Sequence, residues 1–393
     1  QKADDYTKEC KVCKHVGKVS EDGLCPLCSK IQKLSNNVLY SDFFSVVLEG
    51  EADGLPLPGG YLLLADDEKT LSKRMEKDSY FVRVYAKNQM YTGKHIATKL
   101  WVGDYTTGDT FEKFAQKAEG IKRIGVLRAD VDNLGQTFVA GFAGKYATLS
   151  RTAALSRQLS IFFKYYIRSI LKNGEYHIDG EKKLTERNAT IVYSGGDDVF
   201  IVGAWNEVIE LSIDLQEKFK KYTQGTLSIS SGIGIYECTY PIGAIANETG
   251  EMEAESKRMP EKDSVTFMDD GETHLINELE ICDGTYRWEE LYKSVLGEKY
   301  DVIQDFLGES DERGMSFLYR MLELIRNQKE KINFARFVYL LSRLEPDKEG
   351  EKKEKYRKFS RKMYQWVQSE KDCRELKTAI NLYAYMHREK GAH

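Results

Sequence analysis

Apolar positions along the chain follow two rhythms. Short runs that are continuously apolar and rich in β-branched residues alternate with stretches in which apolar residues recur every three or four positions. Residues 121–129 (IKRIGVLRA), the two arms of 189–205 (ATIVYSGGDDVFIVGAW) and residues 227–236 (LSISSGIGIY) read as strands. Leu155, Leu159, Phe162, Tyr166 and Ile170 share one helical face, and Val208, Leu211, Leu215, Phe219 and Tyr222 share another. Asn206 is the expected N-cap of the second helix. The order strand, helix, strand, strand, helix, strand predicts an α+β fold built on a ferredoxin-like βαββαβ unit, one antiparallel sheet covered by two helices. A further helix over 241–258 and a short strand over 264–268 should follow. From about residue 277 helical spacing returns in 317–325, 334–344, 363–367 and 376–385, which predicts an all-helical tail. The charged run 345–362 reads as a solvated loop and helix start. Before the ferredoxin-like unit, 61–65 and 80–85 read as strands and 55–60 (LPLPGG) as a turn. Three domains are expected: a zinc-binding and linker region over 1–120, the βαββαβ domain over 121–275, and a helical domain over 276–393.

With 393 residues, 41% of them hydrophobic and 31% charged, the chain can bury several cores. No apolar run approaches the ~20 residues that span a bilayer, and no signal-peptide pattern is present. A cytoplasmic protein without membrane contact is expected. The first residue is Gln1, so the numbering is expected to begin inside a longer polypeptide or at a trimmed end. The net charge of −4 gives no overall basic field. RNA would be met by a local patch or through partner subunits. The segment 87–105, with Tyr91, Lys94, His95, Lys99 and Trp101, reads either as such a patch or as an ordinary exposed strand face.

Candidate chemistry lies at two places. Cys10, Cys13, Cys25 and Cys28 form two CxxC pairs eleven residues apart, a spacing that fits a closed four-thiolate zinc site with a structural role. In the hairpin, Gly195 and Gly196 can adopt angles closed to other residues and leave room for a ligand, while Asp197 and Asp198 place two carboxylates at the tip. Gly and Asp are also common turn formers, so the hairpin alone fits a plain surface turn. The βαββαβ topology brings the end of the first strand beside this tip. Asp130 would then join Asp197 and Asp198, and oxygen ligands so gathered suit a hard divalent cation. Asp132 is either a further ligand or a structural residue of the turn. Lys257 is either a helix C-terminal cation or a partner for phosphate held at the carboxylates.

The motifs RADVDNLG at 128–135 and YSGGDDVF at 193–200, the upstream four-Cys site and the helical tail together resemble the large subunit of type III-A CRISPR effector (Csm) complexes. That family shares its Palm domain with nucleotide cyclases and polymerases. The resemblance implies a Palm/cyclase domain that converts ATP to cyclic oligoadenylates when target RNA is bound, in antiviral defence. It implies Mg2+ or Mn2+ at Asp130, Asp197 and Asp198, structural Zn2+ at the four cysteines, and nucleotide contacts at Asn133, Leu134, Gly135, Ser194, Gly195, Gly196 and Lys257. Partners would be the other Csm subunits, guide crRNA and target RNA. The family's HD nuclease and first Palm have no counterpart among these residues, which contain no His-Asp dipeptide. DNA cleavage is therefore not expected of them, and one half of a two-ATP site is. Rival readings are a diguanylate-cyclase-like enzyme and a nucleotide-binding scaffold subunit without turnover.

Overall fold

A computed structural model describes residues 8–38, 40–48, 50, 53–76, 80–268, 271–308, 313–326 and 331–388. They form two compact units, Gln1–Asp104 and Tyr105–His393. The first unit opens with the cysteine segment and α1 (Pro26–Val38). It continues into a five-stranded sheet of β1 (Phe43–Leu48), β2 (Leu55–Leu57), β3 (Tyr61–Asp66), β4 (Phe81–Lys87) and β5 (Thr98–Leu100) in the order β2-β3-β1-β4-β5, with α2 (Glu68–Glu76) between β3 and β4. Residues 55–57, expected in a turn, pair with β3, and the chain reverses instead at Gly59 and Gly60, both at positive φ. The aromatic and basic segment after β4 is engaged within its own unit. Tyr91 meets Phe43 edge-on at 5.0 Å, and Lys99 Nζ lies 3.8 Å above the Trp101 ring.

The second unit carries α3 (Phe111–Lys117) and then the expected βαββαβ order. Strand β6 (Ile124–Val131) is followed by a helical crossover, the hairpin β7 (Ala189–Ser194) and β8 (Asp198–Ala204), α7 (Trp205–Tyr222) and β9 (Ile229–Tyr236). Strand β6 lies between β8 and β9, antiparallel to both. Its side chains alternate between two cores. Leu127, Ala129 and Val131 face one built with α7 and the crossover, whereas Ile124 and Val126 face one built with α3 and the next helix. The sheet is thus covered on both sides, more than the two expected helices.

That next helix is α8 (Ile242–Ser256), which leads to β10 (Ser264–Phe267) parallel to β9. Gly232 of β9 lets α8 lie flush on the sheet, because a Cβ there would stand 2.6 Å from the Glu253 amide nitrogen. This close approach brings the end of α8 to the end of β6.

The crossover departs from one continuous amphipathic helix. It comprises α4 (Leu134–Ala140), α5 (Leu149–Ile161), a π-helical turn Phe162–Tyr166 and α6 (Ile167–Lys172). The wider turn buries both Phe162 and Phe163 and leaves Tyr166, expected inside, 44% exposed. Asn206 does not cap α7. The helix begins at Trp205, and the buried Asn206 Oδ1 instead accepts from the Glu119 amide at 3.2 Å.

The tail is not all helical. Strands β11 (Thr273–Ile276) and β12 (Leu279–Cys282) pair as a hairpin, and β13 (Thr285–Arg287) extends the main sheet to the order β13-β10-β9-β6-β8-β7. The hairpin turns at Asn277 and Glu278, both at positive φ, as a type I′ turn requires. A π-helical segment Glu290–Tyr300 and α9 (Asp301–Leu307) follow. They are succeeded by α10 (Arg313–Arg326), α11 (Lys331–Ser342), α12 (Glu351–Trp366) and α13 (Glu370–His387). One apolar core runs from β6 through α7 to α13. Tyr286 seals it by sharing a 2.7 Å hydrogen bond with Thr378 of α13. Among the described residues no helix is long and apolar enough to cross a membrane.

Candidate metal and nucleotide site

The register of β6 against β8 sets Asp130 directly opposite Asp198. The Val131 amide donates to the Asp197 carbonyl at 3.2 Å, and the Gly195 amide closes the turn on the Asp198 carbonyl at 2.8 Å. Three acidic residues from two segments far apart in sequence therefore meet at one end of the ladder. Neither Gly195 nor Gly196 uses a positive φ, so conformational freedom is not the reason for glycine here. Space is. A Cβ on Gly195 would fall on Asp198 Oδ1, and one on Gly196 would meet nothing closer than Ser160 Oγ at 3.8 Å.

Each carboxylate has its own environment. Asp198 Oδ2 accepts from the Tyr193 hydroxyl at 3.0 Å. A bulge between Ile191 and Tyr193 shifts the β7–β8 register and sets Tyr193 opposite Phe200, whose ring lies parallel at 6.0 Å. Burial, then the hydrogen bond to Asp198, push the Tyr193 hydroxyl up to about 12. Asp130 Oδ2 is held by the ammonium of Lys257, the residue that ends α8. Lys257 also lies 2.9 Å from Glu253 Oε1, whose other oxygen lies 2.9 Å from Arg128 Nε. Burial works against the Lys257 charge, yet its bonds to Asp130 and Glu253 prevail and raise its pKa. Among the described residues Asp197 has no such cation of its own. Burial, then the charges of Asp130 and Asp198, raise its pKa, with Lys257 opposing. One ammonium against three carboxylates leaves a negative site that a hard divalent cation fits in donor type and charge.

The remaining candidates divide. Asn133 stands at φ 53° as the residue before α4, and Leu134 and Gly135 open that helix just beyond the end of β6. The Asn133 side chain is engaged, accepting from Lys262 Nζ at 2.7 Å. Ser194 donates its hydroxyl to the Phe163 carbonyl in the π-helical turn. Asp132, just past the end of β6, has a buried Oδ1 that meets no hydrogen-bond partner among the described residues. It is 2% exposed and accepts from Ser228 Oγ at 2.7 Å and the Asp263 amide at 3.1 Å. Tyr193, Glu253, Arg128 and Lys262 were not singled out from the sequence. The only signal for Glu253 is its place one helical turn before Lys257.

In the first unit the sulfurs of Cys10, Cys13, Cys25 and Cys28 all lie within 4.8 Å of one another. The Cys13 and Cys25 sulfurs are 3.7 Å apart, close to the ~3.8 Å edge of a tetrahedron with Zn–S near 2.3 Å. The Cys25 and Cys13 amides hold the Cys10 thiol down to about 6, while bonding to Cys25 and burial push Cys28 up to about 12. Four sulfurs this close ionise together only around a cation, so the donor set fits zinc.

Comparison with known proteins agrees with this layout. The family described as Cas10/Cmr2, second palm domain, matches residues 123–266, and the CRISPR RNA silencing complex Cmr2 subunit, second helical domain, matches residues 304–389. The CRISPR system single-strand-specific deoxyribonuclease Cas10/Csm1 (subtype III-A) of Mycobacterium tuberculosis is 40% identical over 396 residues, covering 98% of this chain and 47% of that protein. Its namesake from Enterococcus italicus is 36% identical over 392 residues, with the same coverage of 98% and 47%. The chain spans about half the length of these relatives. Among solved structures, Csm1 of T. onnurineus aligns over 91% of this chain and 50% of its own, with TM-score 0.69 and 21% identity. A Csm1-Csm4 cassette in complex with cA4 aligns over 88% of this chain and 49% of its own, with TM-score 0.66 and 21% identity, a likeness of fold. Taken with the Palm-type sheet and the helical tail, these matches mean that the chain belongs to the Cas10/Csm1 family of type III-A CRISPR systems.

Proposed function

We propose that this chain carries the nucleotidyltransferase site of a type III-A large subunit, which joins ATP molecules into cyclic oligoadenylates when target RNA is bound. The observation that carries the reading is the meeting of Asp130, Asp197 and Asp198 beside Lys257. Asp130, Asp197 and Asp198 would hold two Mg2+ or Mn2+ ions. Such ions, when bound, lower the pKa of a ribose 3′-hydroxyl and neutralise charge on the triphosphate and departing pyrophosphate. Lys257 would exchange its bond to Asp130 for one to phosphate, as a compact point charge on a flexible stem. The amides of Asn133, Leu134 and Gly135 would line the phosphate path, and the open face of Gly196 would admit the nucleotide against the main chain. Phosphoryl transfer of this kind depends on positioning and charge more than on a protein base. Zn2+ on the four cysteines would act as a folding staple. Working partners would be a Csm4-like subunit, other Csm subunits, guide crRNA and target RNA, in the cytoplasm.

The test replaces Asp197 and Asp198 by Ala in the assembled complex. Oligoadenylate formation from ATP, Mg2+ and target RNA should vanish while complex assembly persists. Undiminished product would overturn the assignment. Product from GTP in place of ATP would favour the cyclase-like rival, and nucleotide binding without turnover in the unaltered complex would favour the scaffold reading.

A further inference from the structure

Helices α10 and α11 bury one face each, Phe317, Leu318 and Met321 on the first and Phe337 and Leu341 on the second. Their outer edges border an open cavity of about 480 Å³. Arg320 lines it from α10, and Arg336 and Arg343 line it from α11 and the residue just past its end. All three are exposed. Among the described residues none of them forms an ion pair, and Arg336 makes only a 3.4 Å hydrogen bond to Asn333 of its own helix. Some surface cations elsewhere in the tail are matched, as Arg357 is with Glu349 and Lys362 with Glu298, whereas Lys348, Lys352 and Arg361 form no ion pair among the described residues. Tyr339 stands between Arg336 and Arg343 on the same stripe and is 65% exposed.

We infer that this groove is a binding surface for single-stranded nucleic acid. Glu323 also lines the groove, and three guanidinium groups against this one carboxylate hold a local positive potential on a chain whose net charge is −4. Guanidinium matches phosphate oxygens with paired N–H donors. Arg336 and Arg343 lie seven residues apart, roughly 10 Å along the helix, which suits two phosphates of one strand better than a single small anion. The exposed Tyr339 ring offers a platform for a base between them. The apolar floor is small, with only Leu324 and Leu340 half-buried in it. That is too little to anchor the apolar stripe of an amphipathic protein helix. The inference uses no part of the carboxylate site.

The experiment measures fluorescence anisotropy of labelled single-stranded RNA and DNA, each of about 20 nucleotides and so longer than common site sizes, on the full chain across a salt series. No nucleotide or divalent ion is added, so the outcome does not depend on whether ATP is turned over. The triple variant Arg320→Ala, Arg336→Ala, Arg343→Ala should bind at least tenfold more weakly at low salt, a threshold set at about three lost phosphate contacts. Its log–log salt slope should fall by about 2, since each contact to a single strand contributes about 0.7. The triple Arg→Lys variant should keep the slope and lose part of the affinity. Tyr339→Ala should weaken binding without changing the slope. Loss on both strands assigns a general phosphodiester surface, and loss on RNA alone assigns RNA. Unchanged slope and affinity in the alanine variant overturns the inference. So does a variant that keeps both strands but loses a poly-glutamate peptide, because the groove would then take an acidic protein segment. Should the alanine variant melt early, the lysine variant and Tyr339→Ala still decide. If the two together leave affinity unchanged, the inference falls.

Discussion

Asp197 holds its proton more tightly in the folded chain than an ordinary aspartate does, through burial and the charges of Asp130 and Asp198. A carboxyl whose folded pKa is raised stabilises the fold below its unfolded value, and that contribution is lost as pH rises through the folded value. Asp197→Asn should therefore raise the Tm of the metal-free chain near neutral pH. The gap should close toward about pH 4, and close again at neutral pH when Mg2+ stabilises the parent alone. Thermal melts with chelator and with Mg2+ check this, and a lower Tm for the metal-free variant at neutral pH would contradict it. Tyr193 supplies the one side-chain hydrogen bond to Asp198 among those described, on a ring held against Phe200. A neutral donor to a charged acceptor contributes about 1.5–3 kcal/mol where shielded, and less at a site this open. Tyr193→Phe should thus weaken Mn2+ binding several-fold, measured by calorimetry, while moving Tm by no more than a few degrees. A change in Tm without a change in Mn2+ affinity would assign Tyr193 to packing alone. Gly195 belongs to the same arrangement, since any side chain there contests the place of Asp198 Oδ1.

At the scale of elements, the loop before β7 is tied to α7 by Arg187, whose side chain is fully buried. It reaches Glu210, Asp214 at 2.9 Å and the Tyr176 carbonyl. Burial, opposed by Arg187, raises Glu210 to about 7. Arg187→Ala leaves two buried carboxylates without their cation and should cost about 3–5 kcal/mol, read from urea unfolding. The strands β6, β8 and β9 were legible because each is a short run rich in Ile or Val, and the βαββαβ order then placed Asp130 beside Asp198. Lys257 was legible only as one of two alternatives, because its reach depends on how closely α8 settles over Gly232. The Tyr193–Asp198 bond was hidden, since the run ATIVYS does not announce the bulge that makes it. The break in the crossover was hidden likewise, because residues spaced for an α-helix do not reveal a π turn at Phe162–Tyr166. The β11–β12 hairpin did carry a signal, Asn277 at a turn position that tolerates positive φ, which the helical spacing further on obscured.

For the whole molecule, the Palm sheet and the helical tail share one core, whereas the cysteine segment lies in the other compact unit. Calorimetry should therefore show a transition for residues 105–393 that a chelator leaves in place. A second transition should fall on zinc removal or with Cys10→Ser and Cys13→Ser, because ligand binding to the folded form alone sets that part of the stability. A single transition insensitive to both would contradict the assignment of the four thiols to zinc. The bond between Lys257 and Asp130 has a consequence for the order of assembly at the site. Without ligands the lysine serves as resident counter-ion, so a metal arriving alone must compete with it. A triphosphate that draws the lysine away frees Asp130 at the same moment. On the proposed function, nucleotide and metal would then each tighten the other's hold by the same factor, as reciprocity between linked equilibria demands, and the pair would enter as a unit while either alone would bind weakly.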